Sequence, residues 1–289
     1  MSCRKGSLLV LGQWLAAWLA SACGATTPTP TVRPPETVPP AATATPFPPT
    51  ASPTLETWDY VVMGVFVRSA ISHVPSEYAD YIERDQGVRI VLNEWERWEA
   101  EDILMNLRIN EDLRTAIREA EVITFDYSID WVDIPETLYR NGLCGGPDNQ
   151  DCLREGVQQA EQDWLGIIDL IIDLHTGSPV LLRTVLMGDW FYDWQYIGPM
   201  TAEQKQVLLS YYHEFQAFME GDAASRGIPV IRIFPEPYFN DENPPAEYLQ
   251  SDGIHLSEQG SIVVAEQLRG LGYQFATIER SSGAPTATP

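Results

Sequence analysis

The chain has 289 residues, enough for one domain with a sizeable hydrophobic core beside shorter terminal segments. Its formal net charge is −23, from 41 acidic and 18 basic residues. A surface this acidic repels phosphate groups, which argues against nucleic acid and anionic membrane surfaces as partners.

The first 22 residues are typical of a secretory signal peptide. Arg4 and Lys5 precede an apolar stretch that is too short for a stable membrane span. The segment ends Leu19-Ala20-Ser21-Ala22-Cys23, and small residues before a cysteine resemble a bacterial lipobox, although alanine stands where leucine is usual. We therefore predict an exported protein that is lipidated at Cys23 and held at the membrane or cell surface. Ordinary cleavage just before this cysteine, which would give a secreted protein, is the alternative.

Low-complexity stretches flank the predicted domain. Residues 23–56 are mostly Thr, Pro and Ala, which cannot bury a core and favour an extended linker. Residues 276–289 are predicted to form a disordered tail. The folded domain is therefore predicted to span residues 57–275.

Strand and helix patterns alternate through that domain. Apolar, β-branched runs typical of buried parallel strands alternate with amphipathic helical patterns. We predict strands at residues 58–67, 88–92, 122–125, 180–187 and 228–234, and helices at 75–86, 99–108, 111–120, 151–175, 201–225 and 257–271. This alternation predicts a flavodoxin-like α/β sandwich of three layers, in which a five-stranded parallel sheet carries helices on both faces and binds ligands at the carboxyl ends of its strands.

Cys144 and Cys152 bracket a turn-rich segment that can bring its ends together. In an exported chain two nearby cysteines typically pair, so we predict a disulfide. A metal site is the weaker alternative, because no histidine lies near these cysteines in sequence. The spacing of the histidines elsewhere fits no metal-ligand motif and there is no glycine-rich phosphate loop, so no metal or cofactor is predicted.

One short stretch, Asp252-Gly253-Ile254-His255, carries the clearest chemical signal. A carboxylate three residues before a histidine, in a turn that contains glycine, can hydrogen-bond the imidazole and fix its tautomer. That arrangement supplies the base and its orienting acid in a hydrolytic triad. The alternative is that both residues cap the helix that begins near Ser257.

The pattern Asp-x-x-His-Leu-x-x-x-Gly followed by a helix, here Asp252 to Gly260, resembles the last block of the SGNH (GDSL-type) hydrolases. The insertion from Cys144 to Leu153 is similar to one in exported bacterial members. The resemblance spans Trp58 to Gly272 and implies the SGNH hydrolase fold. It also implies hydrolysis of acyl or acetyl esters of lipids or polysaccharides, with His255 as base and Asp252 as its orienter.

The other family blocks are altered at the residues that carry the chemistry. The family's first strand ends Gly-Asp-Ser, whereas this chain reads Gly64-Val65-Phe66, which puts Phe66 at the position of the nucleophilic serine. Ser69 and Ser72 are the nearest substitutes. The second block, Asn93 to Glu99, has no glycine whose backbone N–H could bind an oxyanion.

The third block, normally Gly-x-Asn-Asp, reads Tyr127-Ser128-Ile129-Asp130. Asp130 matches the final aspartate, but Ile129 stands where the oxyanion-binding asparagine is expected and has no hydrogen to donate. Ser128 or Tyr127 could donate in its place. Together, the changes in the nucleophile and in both oxyanion blocks predict a catalytically degenerate, esterase-like domain that takes an ester- or glycan-type ligand.

Three functional hypotheses follow. The domain binds without cleaving, as a carbohydrate- or partner-binding module at the cell surface. Alternatively, His255 activates Ser69, Ser72 or a water, or carboxylates such as Asp126, Asp130 and Glu96 act on a glycosidic bond. In the third hypothesis the domain binds protein partners and its own side chains fill the rim. Aromatic residues suited to stacking on sugar rings are predicted near the carboxyl ends of the strands: Phe66, Trp95, Trp98, Tyr127, Trp131, Trp190, Phe191, Tyr192 and Trp194.

Overall fold

A computed structural model describes residues 55–64, 73–96, 100–126, 133–175, 177–186, 200–233, 247–252 and 255–278. All of them belong to the second of two compact units, residues 53–289. The predicted signal peptide, Cys23 and most of the linker lie outside the described residues. None of the described helices is long and apolar enough to cross a membrane.

Five parallel strands form one sheet, as predicted. They are β1 Thr57–Gly64, β2 Arg89–Glu96, β3 Val122–Asp126, β4 Leu181–Leu186 and β5 Val230–Arg232. Their order is β2-β1-β3-β4-β5, and each neighbouring pair is parallel. All five strands therefore end at the same edge, called here the carboxyl edge, where sheets of this topology bind ligands.

The described helices are α1 Val74–Gln86, α2 Ala100–Ile109, α3 Glu111–Glu119, α4 Asp133–Arg140, α5 Asp151–Leu174, α6 Ala202–Ser225 and α7 Glu258–Gly270. Asn110 and Thr201 cap α3 and α6, because their side-chain oxygens accept backbone N–H groups in the first turns of these helices. Helix α4 was not predicted, since its eight residues are too few to show a clear helical period.

Strand β2 is longer than predicted. It continues from Leu92 to Glu96, because β1 pairs with it along its full length, from Thr57 opposite Arg89 to Gly64 opposite Glu96. Part of the stretch compared with the family's second block is therefore extended strand rather than loop. At the other end of the domain, Ala276 forms an antiparallel bridge with Val180, so ordered pairing reaches into the segment assigned to the tail.

Alternate residues along the strands contribute their side chains to two hydrophobic clusters, one on each face of the sheet. Tyr60 and Val62 of β1 pack on the face that also holds buried residues of α1 and α7. Val61 and Met63 pack on the opposite face, with buried residues of α2, α3, α5 and α6. The helices therefore cover both faces, which confirms the predicted three-layer sandwich.

The predicted disulfide is present between Cys144 and Cys152, whose α-carbons lie 4.9 Å apart. Asn149 braces the loop that it closes. Its Oδ1 accepts the backbone N–H of Cys144 at 2.9 Å, and its Nδ2 donates to the carbonyl of Tyr139 at 2.8 Å. The bridge and the asparagine together hold the insertion against the end of α4.

Candidate functional site at the carboxyl edge

Asp252 and His255 form the hydrogen bond that the sequence predicts. Nδ1 of His255 lies 2.6 Å from Oδ2 of Asp252, and the backbone N–H of His255 donates to the other carboxylate oxygen at 3.1 Å. Because an ionised carboxylate only accepts, Nδ1 carries the proton of the neutral imidazole. The lone pair then lies on Nε2, on the opposite side of the ring, which is the form that a general base requires.

The pair is accessible to a ligand. The His255 side chain is 31% exposed and that of Asp252 is 37% exposed. A residue that exchanges protons or hydrogen bonds with a ligand needs this partial exposure, whereas a histidine that serves only packing would be covered.

A small hairpin holds the two residues together. Leu249 and Leu256 form an antiparallel bridge, and the backbone N–H of Gln250 donates to the carbonyl of His255 at 2.7 Å. Ser257 follows directly and caps α7, because its Oγ accepts the N–H of Gly260 at 3.1 Å. The cap of α7 is therefore Ser257, and the alternative in which Asp252 and His255 serve as the cap is wrong.

The packing of α7 beside α1 puts this hairpin at the carboxyl edge. The backbone N–H of His73, just before α1, donates to Oγ of Ser261 in the first turns of α7. Further along, Arg269 near the end of α7 binds Asp85 near the end of α1, at 2.7 and 2.8 Å. The two helices therefore run in the same direction. Since α1 follows the carboxyl end of β1, the start of α7 and the pair before it lie at that same edge.

At the middle of this edge the ends of β1 and β3 touch. Gly64, with φ of +114°, ends β1, and a Cβ built on it would lie 2.0 Å from Oδ1 of Asp126. Asp126 ends β3 and is only 2% exposed. Asp126, a candidate acid–base residue of the glycosidic alternative, is therefore buried against the end of β1.

The surroundings of Gly64 carry negative charge. Glu96 lies opposite Gly64 in the strand register, and the nearby Glu94 is exposed. Burial raises the pKa of Tyr60 well above its ordinary value, and the negative charges of Glu94 and Asp126 act in the same direction.

Neither a protein-family model nor a curated protein matches the chain. Among solved structures, the lipase Lip_vut3 from a goat rumen metagenome is similar over 75% of this chain and 98% of its own, with a TM-score of 0.55 and 17% identity. The chain has an SGNH-hydrolase-like fold. This likeness defines the fold, and at this identity it does not define the reaction.

Two further solved structures resemble this SGNH-like domain. A family 3 carbohydrate esterase from Clostridium thermocellum is 14% identical, with a TM-score of 0.44, over 75% of this chain and 99% of its own. A mutant of Axe2, an acetyl-xylooligosaccharide esterase from Geobacillus, is 12% identical, with a TM-score of 0.47, over 76% and 97%. Both TM-scores are below 0.5, so the fold assignment rests on the lipase.

Several residues proposed for the site from the sequence lie outside the described residues. They are Phe66, Ser69, Ser72, Ser128, Asp130 and all the proposed aromatic rim residues except Trp95. Trp95 is partly buried and packs against the core on the face covered by α2, α3 and α5. Within the described ranges no three or more His, Cys, Asp or Glu residues are grouped to hold a metal ion.

Two contacts at the site were not recognised from the sequence. Asp126 meets Gly64 only because strands far apart in the chain become neighbours. Gly260 lies against the carbonyl oxygen of Tyr248, where a Cβ would approach to 2.1 Å. The sequence signal for this contact is the glycine that ends the Asp-x-x-His-Leu-x-x-x-Gly pattern, in the first turn of a helix where alanine would be the better helix former.

Proposed function

We propose that this is an esterase-like domain that has kept the base and its orienting acid, has lost turnover, and binds an acylated or acetylated ligand at the carboxyl edge. The observation that carries the proposal is the 2.6 Å hydrogen bond between Nδ1 of His255 and Asp252, on a partly exposed pair. This geometry supports the proposal that the two residues act as a base and its orienting acid at the edge where sheets of this topology bind ligands.

The loss of turnover follows from what surrounds the pair. By resemblance, Phe66 occupies the nucleophile position, and an Asp–His pair alone cannot form a covalent acyl-enzyme. Each missing oxyanion donor also costs roughly 3–4 kcal/mol of transition-state stabilisation. Restoring the hydroxyl alone would therefore not restore a full esterase.

The chemistry of the pair also favours one ligand class. The lone pair on Nε2 of His255 is an acceptor, so it binds a hydroxyl donor rather than an ester carbonyl. An O-acylated sugar offers both a hydroxyl and an ester, whereas a simple lipid ester offers only acceptors. The acidic chain, at net charge −23, also disfavours anionic lipid headgroups. We therefore propose an acylated saccharide as the ligand.

A second candidate is an active hydrolase in which His255 activates Ser69 or Ser72. The same hydrogen bond favours it, because the imidazole is held in the tautomer that a base requires. This hypothesis differs from the first in one chemical respect, since it requires a serine whose oxygen attacks an electrophile.

We further propose that the chain is exported and lipidated at Cys23. One mass-spectrometric experiment tests this proposal and the loss of the nucleophile together. The full chain, purified from a bacterial membrane fraction, is treated with a fluorophosphonate, in which an activated serine displaces fluoride, and is then digested. We expect a lipid on the peptide that begins at Cys23 and no phosphonate on Ser69 or Ser72. A Cys23→Ser variant is the control for the lipid. Phosphonylation of either serine that disappears in His255→Ala would instead establish the active hydrolase.

A further inference from the structure

Gly260, in the first turn of α7, lies directly against the backbone of Tyr248. A Cβ at this position would be 2.1 Å from the carbonyl oxygen of Tyr248, 3.0 Å from its carbonyl carbon and 3.3 Å from its α-carbon. All three are backbone atoms, so they cannot rotate away as the end of a flexible side chain would. Any residue larger than glycine must therefore move α7 and the Tyr248 segment apart.

The lack of space for a side chain, rather than the backbone conformation, explains why residue 260 is glycine. Gly260 is not among the glycines with positive φ, and it lies within regular helix. Glycine in a helix interior costs up to about 1 kcal/mol relative to alanine. Helix stability alone would therefore favour alanine at this position. The close approach of the Tyr248 backbone instead requires glycine.

The segment that Gly260 touches is the first arm of the hairpin that carries Asp252. The carbonyl of Tyr248 accepts the N–H of Ser257 at 2.9 Å, and Gln250 binds the second arm twice. Its backbone N–H donates to the carbonyl of His255 at 2.7 Å, and its Nε2 donates to that of Leu256 at 3.0 Å. A shift of Tyr248 would therefore move the arm that leads to Asp252 relative to the arm that carries the imidazole.

We infer that Gly260 is a positioning residue for the Asp252–His255 pair. The missing side chain lets α7 lie against the Tyr248 carbonyl, and this contact sets the distance between the carboxylate and Nδ1 of His255. The inference rests on the proposed function in one respect, because it treats the Asp252–His255 pair as part of a ligand site. The hydrogen bond itself can be observed without ligand or turnover, so failure of the proposed function leaves this test intact.

The test is Gly260→Ala in the full chain, labelled with ¹⁵N at histidine. Long-range proton–nitrogen correlation spectra show which ring nitrogen of His255 carries the proton. In the wild-type chain at neutral pH we expect the Nδ1–H tautomer. In Gly260→Ala we expect this single tautomer to be lost and replaced by a mixture that contains Nε2–H, while the remaining histidine signals stay in place.

Gly270→Ala is the matched control, because Gly270 ends the same helix with no atom within 4 Å of an added Cβ. It should keep the wild-type tautomer. A folded Gly260→Ala chain that also keeps it would overturn the inference. If Gly260→Ala does not fold, Gln250→Ala replaces it, since this variant loosens the same arm by removing the bond to Leu256 and adds no bulk. An unchanged His255 tautomer in Gln250→Ala would then overturn the inference.

Discussion

Replacing Gly64 by alanine is expected to lower the free energy of unfolding by about 3–5 kcal/mol. Two penalties act together at this position. The φ of +114° is strained for any residue with a side chain, and the added Cβ would overlap the carboxylate of Asp126 at 2.0 Å and its backbone oxygen at 2.5 Å. The backbone oxygen belongs to β3, so relief would require a shift of a central strand. Urea denaturation of the variant and the wild-type chain measures the difference.

Gly87→Ala is the control that separates the two penalties. Gly87 also has a positive φ, of +67°, but nothing lies within 4 Å of its added Cβ. We expect it to cost only the backbone strain, about 1–2 kcal/mol. Equal losses for the two variants would show that the contact between Gly64 and Asp126 does not constrain the carboxyl edge.

Replacing Phe66 by serine is expected to create a slow, His255-dependent reaction with p-nitrophenyl acetate, about 100-fold faster than the wild-type chain. If Phe66 occupies the nucleophile position, as the resemblance implies, the introduced hydroxyl would meet an imidazole already held in the basic tautomer by Asp252. The reaction should stop at stoichiometric acylation or turn over very slowly. Each absent oxyanion donor costs about 10²–10³-fold in rate, which restoring the hydroxyl does not recover.

Phe66→Ala is the matched control for this gain, because it removes the same ring without supplying a hydroxyl. It should react no faster than the wild-type chain. The double variant Phe66→Ser with His255→Ala should lose the gain. If the serine and alanine variants react equally, or if loss of His255 has no effect, then Phe66 is not at the nucleophile position.

Much of the fold could be predicted, because local patterns and topology agree. Near-continuous apolar runs between amphipathic helices are characteristic of parallel strands buried on both faces, and the observed sheet has the predicted parallel arrangement. Asn110 and Thr201 were recognisable as helix caps because their hydrogen bonds are local, reaching only two or three residues along the chain. Such features require no knowledge of the rest of the molecule.

The errors arise where distant segments decide local structure. Residues 93–96 carry carboxylates and a tryptophan with no strand alternation, yet they extend β2 because β1 supplies hydrogen-bond partners along its whole length. Helix α4 depends on packing against α5, with Glu136 and Tyr139 buried, rather than on its own short pattern.

The contacts of the candidate site also fall into local ones, which the sequence predicts, and long-range ones, which it does not. Asp252 and His255 were predictable because they lie only three positions apart in the chain. The contact of Gly64 with Asp126 joins two strands that are 62 residues apart, and that of Gly260 with Tyr248 depends on how the hairpin folds back on α7. Neither contact has a spacing that sequence patterns could reveal.

The most direct test of the central claim is ester turnover by the wild-type chain beside His255→Ala, with p-nitrophenyl acetate and acetylated oligosaccharides as substrates. The proposed loss of the nucleophile predicts that the two proteins hydrolyse both substrates equally slowly, at the rate of the buffer. Wild-type turnover that falls roughly 100-fold or more in His255→Ala would contradict it, because that loss is the contribution expected of a working general base. The domain would then be an esterase with a nucleophile other than Phe66, and Ser69 and Ser72 would be the first residues to replace.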